Sequence, residues 1–259
     1  MTKKETKDKL DFFVEKYNTN NFIDKDPISI PHKFTKKEDI EIIGLIMATI
    51  SWGNRKSILN NGNYLLKIVN NSPFDFVMNY KENEINHLEK FKHRTFNSFD
   101  LHYFILRIQD IYKNYGGLEK TFTDGFKINN KSNEAINYFR NVFIPDKFKE
   151  IRTKKHIANP LNGSAAKRIN MYLRWMVRKD KNNVDFGLWK EISPSFLSCP
   201  LDIHSGRTAR KFNLIKRKQN DNKAVEELDI SLRMFDSKDP VKYDFALFGL
   251  GIESEFEFI

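Results

Sequence analysis

The chain has 259 residues and carries 44 Lys and Arg against 34 Asp and Glu, a formal surplus of +10. No apolar run approaches the ~18 to 20 residues of a membrane span, and the single cysteine, Cys199, excludes an internal disulfide and a four-cysteine zinc or iron–sulfur site within the chain. The cationic surplus points to a polyanionic partner, but a Lys- and Asn-rich composition arises without one too, so charge supports a nucleic-acid reading and does not carry it.

In chain order the dominant signal is a helical period. The first residues, MTKKETKDKLDFF, lack the apolar stretch of a secretion signal, so a cytoplasmic protein is expected. Residues 4–18 place Leu10, Phe13, Val14 and Tyr17 on one face. A second helix is predicted to open at Thr35, with Glu38 completing a capping box, and to end at Ser51-Trp52-Gly53-Asn54. A third spans 55–70, weakened in its middle by Asn61-Gly62, and a short one follows from Pro73 to Tyr80. Residues 98–115 give the strongest apolar stripe of the first half, stopped by Gly116-Gly117. Ser132 can cap a helix that Pro145 ends, and residues 146–158 form a basic connector.

Beyond these, helices are predicted after Gly163, after Asp202, over 221–235, and over 240–250 with Asp239 as cap and Gly249 near the end. No segment sustains strand alternation, and hairpin turns between alternating apolar runs are missing. The reading is an all-α protein, residues 1–259 forming one compact domain, with two helical lobes and a cleft between them as the expected arrangement.

The informative stretch runs from Asn159 to Leu214. Asn162-Gly163-Ser164 makes a permissive turn before a basic helix, so the amides of Gly163, Ser164 and Ala165 are expected to face an anion. Asp202 follows, a lone acid with Lys167 and Arg168 before it and Arg207, Arg210 and Lys211 behind it. It is either an ordinary N-cap or a catalyst, and can be both.

The blocks GSAAKRINMYLRWMVR and PLDIHSGRTARKFNLIKRKQ, with KYDFALFGLGI near the end, resemble an uncharacterised bacterial family, a domain of unknown function distantly related to the helix-hairpin-helix DNA glycosylase superfamily. Resemblance to the former covers most of the chain, and to true glycosylases residues 157–252. It implies a helix-hairpin-helix fold, duplex DNA as partner, and Asp202 as the essential aspartate, with His204 at the position of a common histidine; no membrane association is expected, from the missing apolar run. Two departures stand out. Leu161 replaces the hairpin's first glycine, and the position of the Schiff-base lysine falls on Ala165. Lys167, two residues on and about 200° around a helix, is expected to point away, so a monofunctional route without a lysine adduct is predicted.

On that reading Asp202 stabilises an oxocarbenium-like sugar and orients water, while Gly163, Ser164, Ala165, Lys167, Arg168 and Arg207 meet phosphates. Arg174 and Arg178, four apart, either track a backbone or face solvent. Trp52, Trp175 and Trp189 are candidates to stack on an extruded base, against the alternative that they are core. Asn54 or Arg55 is a candidate to fill the gap left in the duplex. No cofactor or metal is expected, since the six histidines show no ligand spacing. The alternatives are a non-catalytic nucleic-acid-binding helix-hairpin-helix protein and a protein-interaction domain whose charge is compositional.

Overall fold

The computed structural model describes residues 1–256, and side chains through residue 253. Among these residues the protein is mostly helical, with one two-stranded hairpin. No described helix is long and apolar enough to cross a membrane. The chain divides into two units. The first is built from residues 1–22, 129–134 and 159 onward, and the second from residues 23–128 and 135–158. The chain opens with α1 (Lys3–Tyr17) and the four-residue α2 (Asn20–Ile23).

The second unit holds α3 (Lys37–Ile50), α4 (Arg55–Ile68), α5 (Pro73–Asn79), α6 (Ser98–Asn114), α7 (Leu118–Phe126) and, from Ala135 on, α8 (Ser132–Phe143). α3 is apolar around its circumference, with Ile40, Ile42, Ile43, Leu45, Ile46 and Met47 all buried, as a central helix must be. The predicted Thr35 cap does not form. The helix begins at Lys37 with no side-chain cap, and Glu38 and Asp39 in the first turn meet its positive end instead. Gly62 interrupts the apolar pattern of α4 for a reason invisible in that pattern: a Cβ there would lie 2.8 Å from Ile30 and from Met47, so the glycine lets α4 pack close.

Phe96, Phe104, Phe143, Phe139 and Phe122 form a chain of ring contacts with centroids 4.4 to 5.3 Å apart through this core. The hairpin, which no sequence pattern announces, pairs β1 (Lys92–His93) with β2 (Phe96–Asn97). Its strands are two residues long, too short for alternation to register, and Arg94 takes the left-handed conformation its turn requires.

The first unit contains α1 with α9 (Lys167–Val177), α10 (Ile203–Lys211), α11 (Asn222–Arg233) and α12 (Tyr243–Phe256). Leu10, Val14, Leu201, Leu214, Val225, Leu228 and Leu247 make its core. The last helix runs on past the predicted end at Leu250, because Gly249 and Gly251 serve close packing and not termination. A Cβ at Gly249 would strike the Tyr17 ring, and one at Gly251 would lie 2.8 Å from the His204 backbone. Asp239, predicted to cap this helix, makes no cap hydrogen bond. Its carboxylate accepts from Arg178 Nε at 2.9 Å.

That interaction belongs to a buried ion network. Arg174 and Arg178 neither track a phosphate backbone nor face solvent, since their side chains are 4% and 3% exposed. Arg174 pairs with Asp185 at 3.1 Å and with Asp244. Arg178 pairs with Asp185 at 3.1 Å and Asp180 at 2.7 Å. Burial drives the Asp244 carboxyl up to about 6 despite the Arg174 guanidinium beside it.

Candidate active site

The turn leading into α9 is tighter than its sequence suggests. Pro160–Asn162 form a single 3-10 turn, Asn159 Oδ1 accepts from Asn162 N, and Gly163 closes the turn at φ 90°. Gly163 N–H donates to Pro160 O at 2.9 Å and Ser164 N–H to Asn159 O at 3.2 Å. Those two amides, expected to face an anion, are therefore spent inside the turn. Ser164 also bridges to Asp221, where Asn222 N–H donates to Gly163 O at 3.0 Å, which ties the turn to the start of α11. Ser164 Oγ accepts from Ala166 N–H at 3.2 Å, and Ala166 is itself left-handed at φ 48°.

Because the chain from Gly163 to Ala166 is not helical, a 100° step per residue cannot be counted from Ala165 to Lys167. The helix starts at Lys167. Its side chain turns to Asp202, with Nζ 3.0 Å from Oδ2. The expectation that Lys167 points elsewhere assumed an α-helix where two left-handed residues stand.

Asp202 is the N-cap of α10. Its Oδ1 accepts Ser205 N–H at 2.9 Å, and Ser205 Oγ accepts Asp202 N–H at 2.9 Å, a reciprocal capping box. The segment before it is anchored by buried Cys199 and Leu201. Asn220 Nδ2 donates to Asp202 O at 2.8 Å, an approach that Gly206 permits, because a Cβ at Gly206 would lie 2.7 Å from Asn220 Oδ1. The Asp202 side chain is 14% exposed. Burial works to raise its pKa, but the Lys167 ammonium and the Ser205 amide outweigh burial, so the group lies below the usual carboxylate range and is ionised at neutral pH. His204 packs edge-on against Phe248, ring centroids 6.0 Å apart.

The outward side of α10 is cationic. Ile203, Arg207, Arg210 and Lys211 line an open depression of about 730 Å³ with Lys218 and Asn220. Arg210 is held there by Nε to Arg217 O at 2.8 Å, while Arg207 and Lys211 are exposed. Arg168, beside Lys167, is half-buried, and burial lowers its pKa.

The tryptophans separate. Trp175 and Trp189 are 0% and 1% exposed, and Tyr172 packs edge-on to Trp189 at 5.4 Å. Both are core, and neither can stack on an extruded base. Trp52 is half-buried in the second unit, stacked on His156 at 5.8 Å and met edge-on by His93 at 5.1 Å. Asn54 caps α4 by accepting Ser57 N–H at 3.2 Å, and Arg55 after it is exposed.

The Trp52 surroundings contain a cluster that sequence reasoning missed. Asp100, fully buried, accepts from Thr153 Oγ1 at 2.8 Å, Arg152 Nη1 at 2.5 Å and Asn97 N–H at 3.0 Å, and His156 Nε2 lies 3.4 Å away. Burial opposes ionisation there, yet His156 and the hydrogen bonds hold the carboxyl down at about 2. Arg152, Thr153 and His156 stand more than 50 residues on, so no local spacing announces them. Among the described residues no group of three or more His, Cys, Asp or Glu is placed to hold a metal.

Residues 26–253 match the family described as Protein of unknown function (DUF2400), and the chain belongs to that family. No curated protein and no solved structure matches the chain.

Proposed function

Starting from membership of a family without an assigned activity, we propose that this protein binds duplex DNA and hydrolyses the N-glycosidic bond of a damaged base, with Asp202 as the catalytic carboxylate. The observation that carries the proposal is the Lys167–Asp202 pair at 3.0 Å, where a turn meets two basic helices. It joins the two chain segments whose residues resemble the helix-hairpin-helix glycosylases. An ionised carboxylate at a helix start is suited to stabilise the positive charge that develops on the sugar as the base departs, and to orient the attacking water. The cations along α10 supply the phosphate contacts that such an enzyme needs.

A second reading rests on the same distance. Once Lys167 gives up its proton to solvent, its free amine can attack the sugar C1′ as the C1′–N bond breaks and the base departs with a proton from water, and opening of the sugar ring then gives a Schiff base. The non-catalytic alternative has its own support, because the cap engages one Asp202 oxygen and Lys167 the other.

A panel of duplexes bearing oxidised, alkylated or deaminated bases separates the three. Wild type is expected to release base from at least one, and Asp202→Asn to lose ~100-fold or more of that rate. Borohydride then distinguishes hydrolysis, which traps nothing, from a Lys167 adduct that Lys167→Met abolishes. Equal product from wild type and Asp202→Asn removes Asp202 from the chemistry.

A further inference from the structure

The face of α11 that carries Asn222, Glu226, Asp229, Ile230 and Arg233 borders a second cavity in the first unit, of about 490 Å³. Its other walls are the NNKSN segment at 129–133 and residues from 195 to 198. These walls are fastened together. Ser132 Oγ accepts Ser198 N–H at 3.0 Å, Arg233 donates Nε to Ser195 O at 3.1 Å and Nη2 to Leu197 O at 2.8 Å, and Cys199 N–H donates to Asp229 Oδ1 at 2.9 Å. The cavity is thus preformed, and neither Asp202 nor Lys167 lines it.

Its chemistry differs from that of the α10 depression. Lys131 and Arg233 oppose Glu226 and Asp229, so the lining carries no net charge in a chain whose surplus is +10. A phosphate chain gains nothing there, and a neutral polar molecule fits better. Asp229 is 6% exposed, and burial pushes its carboxyl up to about 6 against the pull of Arg233. Cys199 takes Oδ1, and carbonyls take the guanidinium's Nε and Nη2. Asp229 Oδ2 and Arg233 Nη1 form an ion pair at 3.6 Å, and the Ser198 side chain also hydrogen-bonds the carboxylate, but a carboxylate has further lone pairs and Nη1 a second N–H to offer. An acceptor beside a donor at that spacing complements a molecular edge with a donor next to an acceptor, as a cyclic amide or amidine presents. Asn129, Asn130 and Asn133 add both kinds of partner, while Phe196 and Ile230 offer apolar surface to a ring. The volume lies within the range of small-molecule sites.

We propose that this cavity binds a free nucleobase or nucleoside through the Asp229–Arg233 edge. This inference does not depend on the activity proposed for Asp202.

Calorimetric titration of the full chain with the four common nucleosides and their bases tests it. Saturable binding with a dissociation constant of ~1 mM or tighter is expected for at least one of them. Asp229→Asn, which keeps the side chain's shape, and Ile230→Arg, at a residue 64% exposed and so tolerant of change, should each weaken it at least tenfold. Ribose 5-phosphate should not compete. The proposal is overturned by absence of saturable binding up to ~5 mM, by competition from ribose 5-phosphate, or by unchanged affinity in the variants. If Asp229→Asn fails to fold, Ile230→Arg alone decides.

Discussion

Replacing Asp202 by Asn and by Ala divides its two physical roles. Asn caps a helix as well as Asp does, so Asp202→Asn retains an oxygen for Ser205 N–H and loses only the charge facing Lys167. With the Lys167 side chain 32% exposed, water screens that pair, and it contributes on the order of 0.5–1 kcal/mol. Asp202→Ala loses the cap as well, adding about 1 kcal/mol. In a chain of this length ~1 kcal/mol moves the melting temperature by ~2–4 °C. The Asn variant should therefore melt ~2 °C below wild type and the Ala variant ~4–6 °C below, followed by circular dichroism at pH 7 with urea titration as a check.

The charge contribution also has a pH signature. The folded-state pKa of Asp202 is depressed, so its stabilisation is fully present above the unfolded value of ~3.9 and is lost as pH falls through the folded value. The stability gap between wild type and Asp202→Asn should close below pH ~4. If the Asn variant loses as much stability as the Ala variant at pH 7, the division between cap and charge is wrong.

Three further outcomes are expected. Arg174→Ala leaves Asp244 buried without its cation and Asp185 with Arg178 alone, and should cost ~3–5 kcal/mol in urea unfolding; a loss below ~1 kcal/mol would show that the network carries little. Gly251→Ala drives a Cβ against the His204 backbone, which cannot yield as a side-chain tip can, so a loss of ~1–3 kcal/mol is expected in the same assay, and a variant as stable as wild type refutes the close approach. If DNA lies along α10, exchanging Arg207, Lys211 and Lys218 for Gln should reduce the slope of log affinity against log salt by ~0.9 for each phosphate deprived of its cation, and an unchanged slope places the DNA elsewhere.

Helices with one apolar face were legible in the sequence. The stripe from Leu101 to Ile111 and the glycines after it predicted α6, and the apolar spacing from Val225 to Leu232 predicted α11, whose cap is Asp221. These features act within one or two turns, where spacing encodes geometry. Asp202 could be singled out because its cap is equally local. The direction of Lys167 could not, because two left-handed residues before it break the helical count. Arg174 and Arg178 looked like a surface pair because what neutralises them includes Asp239 and Asp244, more than 60 residues away. The Asp100 cluster was hidden for the same reason, and so was the purpose of Gly62.

The division of the first unit among separate stretches of chain bears on how it is made. α1 packs chiefly on α12, yet more than 220 residues are synthesised between them. At ~5–20 residues per second, Leu10 and Val14 wait tens of seconds on the ribosome for the helix that covers them. During that interval residues 23–128 are already available to collapse, so the nascent chain should mature from its middle outward, with its earliest helix among the last to find its place.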